Sequence, residues 1–360
     1  MGRSSDRYDW ITIVLLLCLG SFGLFILLTI QSGLFFQQLL FLCLGFLLLF
    51  LVSRIDSVVL WWSAPIGYIF ANIFLLLSYA GPSIRGATRW IFIGGFQLQP
   101  SEIVKPILLL AFARFISMYP PKNLRFLPLH LVLFLIPFLL VFRQPDLGSS
   151  IVYGAMWLSM MIAGGLPVGL VVLLSGFTAT LYPAMWKLLA GYQKDRILTF
   201  LNPAIDPKGA GYNAIQAMIA VGSGQLFGRG LGRGTQSHLR FLPEFHTDFI
   251  FATLIEELGF LGGFLLFILY GMLLWRILYP LFKGVITQSE PYVYAIGLFS
   301  MILIQVTINT GMNMGIVPVT GITLPFVSYG GSSILSFCLA YGIFWAVTKA
   351  QTEEKSIAIH

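Results

Sequence analysis

A polar cluster in the second half of the chain could do chemistry at a membrane boundary. Glu244, His246, Thr247 and Asp248 stand together in FLPEFHTDFIFATLIEE, where they lead directly into an apolar run. Ionisable groups at such a depth are costly to place and usually serve a pathway or a reaction. The simpler alternative is that Thr247 or Asp248 caps the following helix, and that His246 makes one structural hydrogen bond. Asp248 is the first candidate for a functional carboxylate.

The composition excludes a soluble protein. Of 360 residues, 58% are hydrophobic and 10% are charged, and the mean hydropathy is +0.88. Such values lie far outside the range of soluble domains, and apolar windows near 20 residues predict membrane-spanning helices. The windows are Trp10 to Ile30, Leu34 to Val52, Val58 to Ala80, Ile103 to Met118, Leu127 to Phe142, Leu147 to Ala163, Leu166 to Leu189, Phe249 to Leu274, Val293 to Thr310 and Ser333 to Ala350. We predict an all-α polytopic membrane protein of one domain, 1–360, with about ten transmembrane helices.

Ten spans place both termini on one side, and the Lys and Arg content of the short loops indicates that this side is cytoplasmic. A large extracytoplasmic loop, 187–246, then lies between helices 7 and 8, and 351–360 form a short cytoplasmic tail. The formal net charge is +7. Many of the cations fall on the outer face, which suggests an anionic partner there. We expect no nucleic acid as a partner.

Four polar segments interrupt the apolar pattern, and this topology opens all four toward the outer face. The first, Ile84 to Lys105, contains Arg85 and Arg89 and ends in Glu102 and Lys105, which share a helix face at a spacing of three. Those two side chains form either an internal ion pair or a device in which Glu102 positions Lys105 toward a ligand phosphate.

The second segment, RQPDLGSS, joins two spans through a very short turn. Asp146 can cap the helix that follows, and Arg143 can extend along the lipid boundary with its charge in water. Both residues are also candidate substrate contacts. Neither reading is decided by this segment alone.

The third and fourth segments carry unusual backbone signals. Six glycines fall between Gly222 and Gly234, where left-handed backbone could form an anion-binding concavity or merely the tight turns of a re-entrant loop. The fourth segment, Asn309 to Ser333, breaks up sequence at membrane depth, which is tolerated only inside protein or along a wet cavity. A polar cavity in the outer half is predicted. Catalysis and transport would both use one.

Several of these motifs occur together in the order typical of one family. HTDFIFATLIEELG, RQPDLGSS, QPSEIVK, GSGQLFGRGLGRGTQ and GITLPFVSYGGSS resemble the SEDS family of bacterial cell-wall polymerases. GYNAIQ and GTQS resemble the elongation-type members, the RodA type, more than the division type, FtsW. IRGATRW departs from the more usual family pattern, which makes Arg85 less secure than Arg89.

The resemblance implies peptidoglycan glycosyltransferase activity on lipid II in the bacterial cytoplasmic membrane, with inversion at the sugar, a site facing outward and release of undecaprenyl diphosphate. The family's invariant aspartate maps to Asp248, which would accept the proton of the acceptor hydroxyl or hold a divalent cation, Mg or Mn. The substrate contacts it implies or suggests are Arg89, Glu102, Lys105, Arg143, Asp146, His246, Thr247, Ser328 and Tyr329. The implied partners are a class B penicillin-binding protein, lipid II and the undecaprenyl-linked nascent glycan.

Two other functions remain open on sequence. A flippase for the lipid-linked precursor would also need a polar cavity, broken helices and cations for a diphosphate. It predicts polar positions at both sides of the membrane, whereas the unusual residues here cluster toward one face. A scaffold that only recruits a transpeptidase would have no use for the cluster at Asp248.

Overall fold

The structure is a computed structural model that describes residues 9–82, 88–94, 96–180, 186–187, 191–203 and 211–358. Arg85, a candidate of the sequence analysis, lies outside the described residues. The described residues fold mostly into helices, as the composition predicts. The helices are α1 Trp10–Ile30, α2 Ser32–Val52, α3 Ser57–Leu77, α4 Pro100–Ile103, α5 Lys105–Met118, α6 Leu127–Arg143, α7 Leu147–Ala163, α8 Val168–Thr180, α9 Gly191–Leu201, α10 Tyr212–Ser223, α11 Thr235–His238, α12 Ile250–Phe282, α13 Ser289–Asn313 and α14 Gly331–Ala358.

Each of the ten predicted windows contains a described helix of at least 13 residues, which confirms the prediction of an all-α polytopic protein. Within the described residues, seven helices are long and apolar enough to cross a membrane, and α7 is a shorter apolar helix of 17 residues. The window predicted from Leu166 to Leu189 is a helix over Val168–Thr180 and is described only in part beyond it. Aspartates begin three of the helices, since Asp9, Asp56 and Asp146 each accept an amide of the first turn.

The core is centred on α13 and α14, the most buried of the candidate spans. Helix α14 packs along α2, and α13 packs against α5, α7 and α12. Small residues permit the closest approach: a Cβ on Gly45 would lie 2.8 Å from Cys338 Sγ, and one on Gly342 would lie 2.9 Å from Leu49 O. Such contacts are the usual means of packing helices in a membrane, where burial of apolar surface gives little drive.

The only β structure among the described residues is a short hairpin. Strand β1, Ile91–Ile93, pairs antiparallel with β2, Phe96–Leu98, in the first polar segment. Helix α4 follows the hairpin at once, with Pro100 in its first turn, where a missing N–H costs nothing. The hairpin therefore delivers Glu102 and Lys105 to the body of the protein.

Helix α12 is broken at Gly259, and the glycine-rich loop fills the break. Gly259 has φ 68° and ψ −168°, a conformation essentially restricted to glycine. The amides of Arg229 and Gly230 donate to the carbonyls of Glu256 and Glu257 at 2.9 and 3.1 Å, and Phe260 N donates to Gln225 O at 2.8 Å. The amides of Arg229 and Gly230 are thus engaged by protein carbonyls, and the predicted anion-binding concavity does not form around these two residues.

Glu256 and Glu257, beside the break, both make structural hydrogen bonds. Glu256 accepts from Thr235 N at 2.7 Å and from Gln236 N at 3.0 Å, which satisfies the start of α11. Glu257 accepts from His238 at 3.0 Å and from Thr29 Oγ1 at 3.1 Å. The pair ties the loop and the end of α1 to α12.

Substitution of Gly259 by Ala is expected to destabilise the protein strongly. The new Cβ would lie 2.2 Å from Gly228 N, and the backbone conformation adds about 1–3 kcal/mol of strain. The measurement is the thermal midpoint of the detergent-purified protein. Gly271→Ala is the matched control, because it lies in the same helix with open space around it and gains about 0.5–1 kcal/mol of helix stability. Equal midpoints for the two variants would contradict the docked loop.

Candidate functional site

The four polar segments meet at one end of the helix bundle, as the sequence predicts. Gln99 N of the first segment donates to Ser332 Oγ of the fourth at 2.9 Å. A Cβ on Gly148, in the second, would lie 2.4 Å from the Ile322 side chain. The third segment meets the fourth where a Cβ on Gly315 would lie 2.5 Å from Met218 Sδ. The turn that follows the third segment is joined to the fourth by Ser328 Oγ, which donates to Thr247 O at 2.6 Å. A single polar region therefore forms from parts of the chain up to 233 residues apart.

The acidic turn, which we define as Glu244 to Asp248 before α12, packs on a small hydrophobic cluster separate from the main core. Phe245 and Phe249 are buried against Ala217, Ala220, Leu242 and Ala252, which belong to α10, the turn and α12. These two buried aromatic side chains, one before His246 and one after Asp248, fix the path of the backbone between them. His246, Thr247 and Asp248 are all partly exposed.

Asp248 is not the capping residue of α12. The residue at the N-cap is Phe249, and no side chain caps the helix there. The carboxylate lies instead against the loop of the fourth segment, where a Cβ on Gly321 would be 3.3 Å from Asp248 Oδ2. The N-cap position of Phe249 contradicts the helix-capping explanation of Thr247 and Asp248, and the functional role of the Asp248 carboxylate stays a prediction.

Ser328 and Tyr329 lie beneath the acidic turn. The Ser328 hydroxyl, 2% exposed, accepts from Leu324 N at 2.7 Å and donates to Thr247 O. Tyr329 N donates to His246 O at 2.9 Å, and its hydroxyl donates to Gln37 Oε1 at 2.6 Å. Burial raises the pKa of Tyr329, which keeps this phenol protonated as a donor. Both residues support the turn directly, and their contact with substrate stays a prediction.

The side chains of His246 and Thr247 have near neighbours within the turn and the fourth segment. The His246 ring lies 5.8 Å from the Tyr329 ring, centroid to centroid, and Thr247 Oγ1 lies 3.2 Å from Glu244 Oε2. Substrate contact by His246 and Thr247 stays a prediction as well.

Glu102 and Lys105 form the predicted ion pair. The Lys105 ammonium donates to Glu102 Oε1 at 2.5 Å, and both side chains are almost fully buried, at 1% and 6% exposed. Among the described residues, Glu102 Oε2 has no hydrogen-bond partner although it is buried. An acceptor left in this state is costly, so the pair is more than a neutral structural filling.

Asp146 is the centre of a second buried network. As predicted, it caps its helix by accepting from Ser149 N at 3.1 Å, and it also accepts from Gln99 Nε2 at 2.9 Å and Ser101 Oγ at 3.0 Å. Arg89 approaches it at 3.9 Å and is a quarter exposed. Arg143 is exposed at the end of α6, away from these contacts.

The Asp146 network and the acidic turn lie on opposite sides of one stretch of chain, Thr320 to Ile322. Gly148, two residues after Asp146, packs on Thr320 O and the Ile322 side chain. Gly321, between them, faces the Asp248 carboxylate. The structure thus brings Arg89, Glu102, Lys105, Asp146 and Asp248 to one region.

Several residues of this region escaped the sequence analysis as individuals. Gln99, Ser101 and Ser149 bind Asp146, and Tyr153 donates its hydroxyl to Ser101 O at 2.7 Å. The signal for Gln99 and Ser101 was their place beside Glu102 in the first polar segment. Tyr153 lies in an apolar window, where an aromatic residue gives no such signal.

A resident metal held by protein ligands alone does not fit the described residues. They contain no group of three or more His, Cys, Asp or Glu side chains that could hold an ion. Magnesium is often held by one or two carboxylates together with phosphate oxygens of a substrate. Asp248 could serve only in that second manner.

Comparison with known proteins decides the family. The profile of the FtsW, RodA and SpoVE cell cycle proteins matches residues 9–353. The chain belongs to this family. The family is the SEDS family that the motifs indicated, and the match covers every segment described above.

Individual relatives of this SEDS chain agree in sequence and in fold. Peptidoglycan glycosyltransferase MrdB of Escherichia coli strain K12 is 40% identical over 309 residues, which cover 85% of this chain and 83% of MrdB. A chain from a peptidoglycan synthase complex that coordinates polymerization and crosslinking superposes with a TM-score of 0.83 at 30% identity, covering 96% and 98% of the two chains. The crystal structure of the rod shape determining protein RodA of Thermus thermophilus gives 0.72 at 28% identity, with the same coverage.

A double-mutant cycle tests the contact between the Asp248 carboxylate and Gly321 in this SEDS chain. Gly321→Ala should cost about 1–2 kcal/mol through its left-handed φ of 77° and more through pressure on Asp248. In an Asp248→Ala background the second part disappears, which gives a coupling energy of about 0.5–3 kcal/mol. Unfolding in detergent measures each step.

Gly232→Ala is the matched control for that cycle. Gly232 has a similar φ of 69° but nothing within 4 Å of an added Cβ. Its cost should be the same with and without the Asp248 carboxylate. Zero coupling at Gly321 as well would show that the loop does not lie against Asp248.

Proposed function

We propose that this protein is a peptidoglycan glycosyltransferase of the elongation type, which polymerises lipid II into β-1,4 glycan strands in the bacterial cytoplasmic membrane. The observation that carries the proposal is the single region that holds Asp248, Lys105 with Glu102, and Arg89 with Asp146. The name and 40% identity of MrdB support the activity, and the likeness to RodA supports the elongation role.

The donor side of the reaction needs positive charge rather than a general acid. Transfer from lipid II breaks the bond between the anomeric carbon and an undecaprenyl diphosphate, which is a weak base and leaves without protonation. Lys105 and Arg89 would stabilise the charge that develops on the diphosphate, while Glu102 and Asp146 hold their directions. Fixed charges in a site of low dielectric are usually the largest contribution to such catalysis.

The acceptor side needs one base. The 4-hydroxyl of the acceptor sugar attacks the anomeric carbon, and its proton passes to the Asp248 carboxylate as the new bond forms. Attack from the face opposite the leaving diphosphate inverts the configuration from α to β. Asp248 stands across the Thr320 to Ile322 chain from the Asp146 network, so acceptor and leaving group would be served from two sides.

In the alternative form of the proposal, Asp248 would instead hold a divalent cation, Mg or Mn, which would supply positive charge and activate the acceptor hydroxyl. The exposed Arg143 and the partly exposed His246 and Thr247 would contact the substrate.

An enzyme with a one-sided site fits the charges better than a flippase does. The candidate residues lie at the end of the bundle where α1, α6 and α13 finish and α7, α12 and α14 begin. At the other end, two ion pairs, Arg114 with Glu290 at 2.8 Å and Arg276 with Asp9 at 2.7 Å, bind helices to each other. Orientation of the site toward the outside, with both termini cytoplasmic, completes the proposal.

The proposed partner is a class B penicillin-binding protein. The likeness to a chain of a synthase complex that joins polymerization to crosslinking supports this assignment. Coupling of the two activities would pass each new strand to a transpeptidase as it leaves the membrane.

Replacement of Asp248 by Asn should abolish glycan synthesis. The amide keeps the size of the side chain but cannot accept the proton, and loss of a general base costs about 10²–10⁴-fold in rate. The measurement is polymerisation of purified lipid II by the protein in detergent, with and without Mg, Mn and the partner. Asp56→Asn is the control, since Asn also caps α3 and the residue lies at the other end of the bundle.

Wild-type polymerisation by Asp248→Asn would refute the assignment of the base. Absence of glycan from the wild type under every condition, together with transfer of lipid II headgroups across liposomes, would refute the enzyme and favour the flippase.

The buried pair offers a separate test of whether Lys105 acts on the substrate. Lys105→Met leaves Glu102 as an uncompensated buried charge and should cost about 3–5 kcal/mol of stability. The double variant Lys105→Met with Glu102→Gln removes that charge and should regain most of the loss. If Lys105 binds the diphosphate, the double variant is stable and still inactive. Recovery of activity with stability would show that the pair is only structural.

A further inference from the structure

Two buried amides on α13 hold the peptide of Asp248. Asn309 and Asn313 are one helical turn apart, share a face of α13 and have no exposed surface. Asn309 Nδ2 donates to Asp248 O at 3.0 Å, and Asn313 Nδ2 donates to the same oxygen at 3.1 Å. Both donors come from more than 60 residues away in sequence. We name this pair the amide clamp.

The clamp also holds the elements on either side of Asp248. Asn313 Oδ1 accepts from Ala252 N at 3.1 Å, in the first turn of α12. Asn309 Nδ2 donates in addition to Ile322 O at 2.6 Å, in the loop that lies against the Asp248 carboxylate. Two side chains thus fix the turn, the helix start and the covering loop to one another.

We infer that Asn309 and Asn313 are positioning residues for the transfer reaction, which set the direction of the Asp248 carboxylate by fixing the peptide that carries it. This inference rests on the proposed function, in which Asp248 takes the proton. The clamp touches neither substrate nor reacting atoms and acts through Asp248 alone.

A contact that merely joined two helices would look different. Amides that bind transmembrane helices together typically donate to a neighbouring helix, and their loss lowers stability without a selective effect on rate. Here the shared acceptor is the carbonyl of the candidate base, in a turn outside the helix. With the donors removed, the Asp248 peptide loses the two hydrogen bonds that fix its carbonyl, and a displacement of about 1 Å at a reacting group can cost 10²-fold in rate.

The first test replaces Asn309 by Leu, which has a similar size and no donor. The expected result is a fall in kcat for lipid II polymerisation of about 10–100-fold, with KM, lipid II binding and capture of the partner unchanged. Thr307→Val is the matched control, because Thr307 is exposed on the same helix and its hydroxyl donates only to Leu303 O of that helix. It should keep the wild-type kcat.

The second test, Asn309→Asp, gives a signature that a structural role would not produce. An ionised carboxylate would place negative oxygen against the carbonyls of Asp248 and Ile322, whereas the protonated acid can donate as the amide does. The kcat of this variant, divided by the wild-type kcat at the same pH, should rise as the pH falls. For Asn309→Leu the same ratio should stay flat. Both series are run below the unfolding temperature of each variant, and the Asp series stands alone if the Leu variant does not fold.

The outcomes separate this inference from the function on which it rests. Wild-type kcat for Asn309→Leu and Asn313→Leu, with Asp248→Asn inactive, would overturn the clamp and leave the proposed function intact. A pH-independent ratio for Asn309→Asp would overturn it too. Activity in Asp248→Asn would overturn the proposed function itself.

Discussion

The structure depends on one constraint, which is that every break in a helix at membrane depth must find partners inside the protein. Lipid offers no hydrogen bonds, so each free amide or carbonyl there costs several kcal/mol. At Gly259 the partners are the backbone groups of residues 225–230, and at the acidic turn they are donors of the fourth polar segment. In both places the partners come from residues distant in sequence. The hydrogen bonds at the breaks therefore connect separate parts of the fold.

The same constraint fixes the chemistry. The carbonyls of His246, Thr247 and Asp248 each accept a hydrogen bond from residues 309–329. These bonds fix the backbone of the turn that carries the three side chains. The Asp146 carboxylate likewise accepts hydrogen bonds from neighbouring polar groups, and Glu102 is paired with Lys105. Charges arranged in this manner before substrate arrives need little reorganisation during the reaction, which is the condition for strong electrostatic catalysis.

The sequence predicted the helices well because a span is a local pattern. An apolar run of about 20 residues is recognisable from local sequence alone, and so is an aspartate at the start of a helix, such as Asp146. The partners of the breaks were not predictable, because Ser328 lies 81 residues from Thr247, and Gln99 lies 233 residues from Ser332. The glycines between 222 and 234 showed that unusual backbone was needed but not what it would contact. Protein carbonyls and phosphates both accept hydrogen bonds from backbone N–H groups. A glycine-rich loop that binds an anion and one that binds the broken turn of a helix therefore have similar sequences.

Residues 320–322 lie between Asp248, the candidate base, and the network around Asp146, the candidate diphosphate site. Residues 320–322 carry Ile322 against Gly148 on one side and Gly321 against Asp248 on the other. Gly321 has φ 77°, so a side chain there would strain the chain as well as press on the carboxylate. This tripeptide therefore lies between the proposed proton acceptor and the network around Asp146.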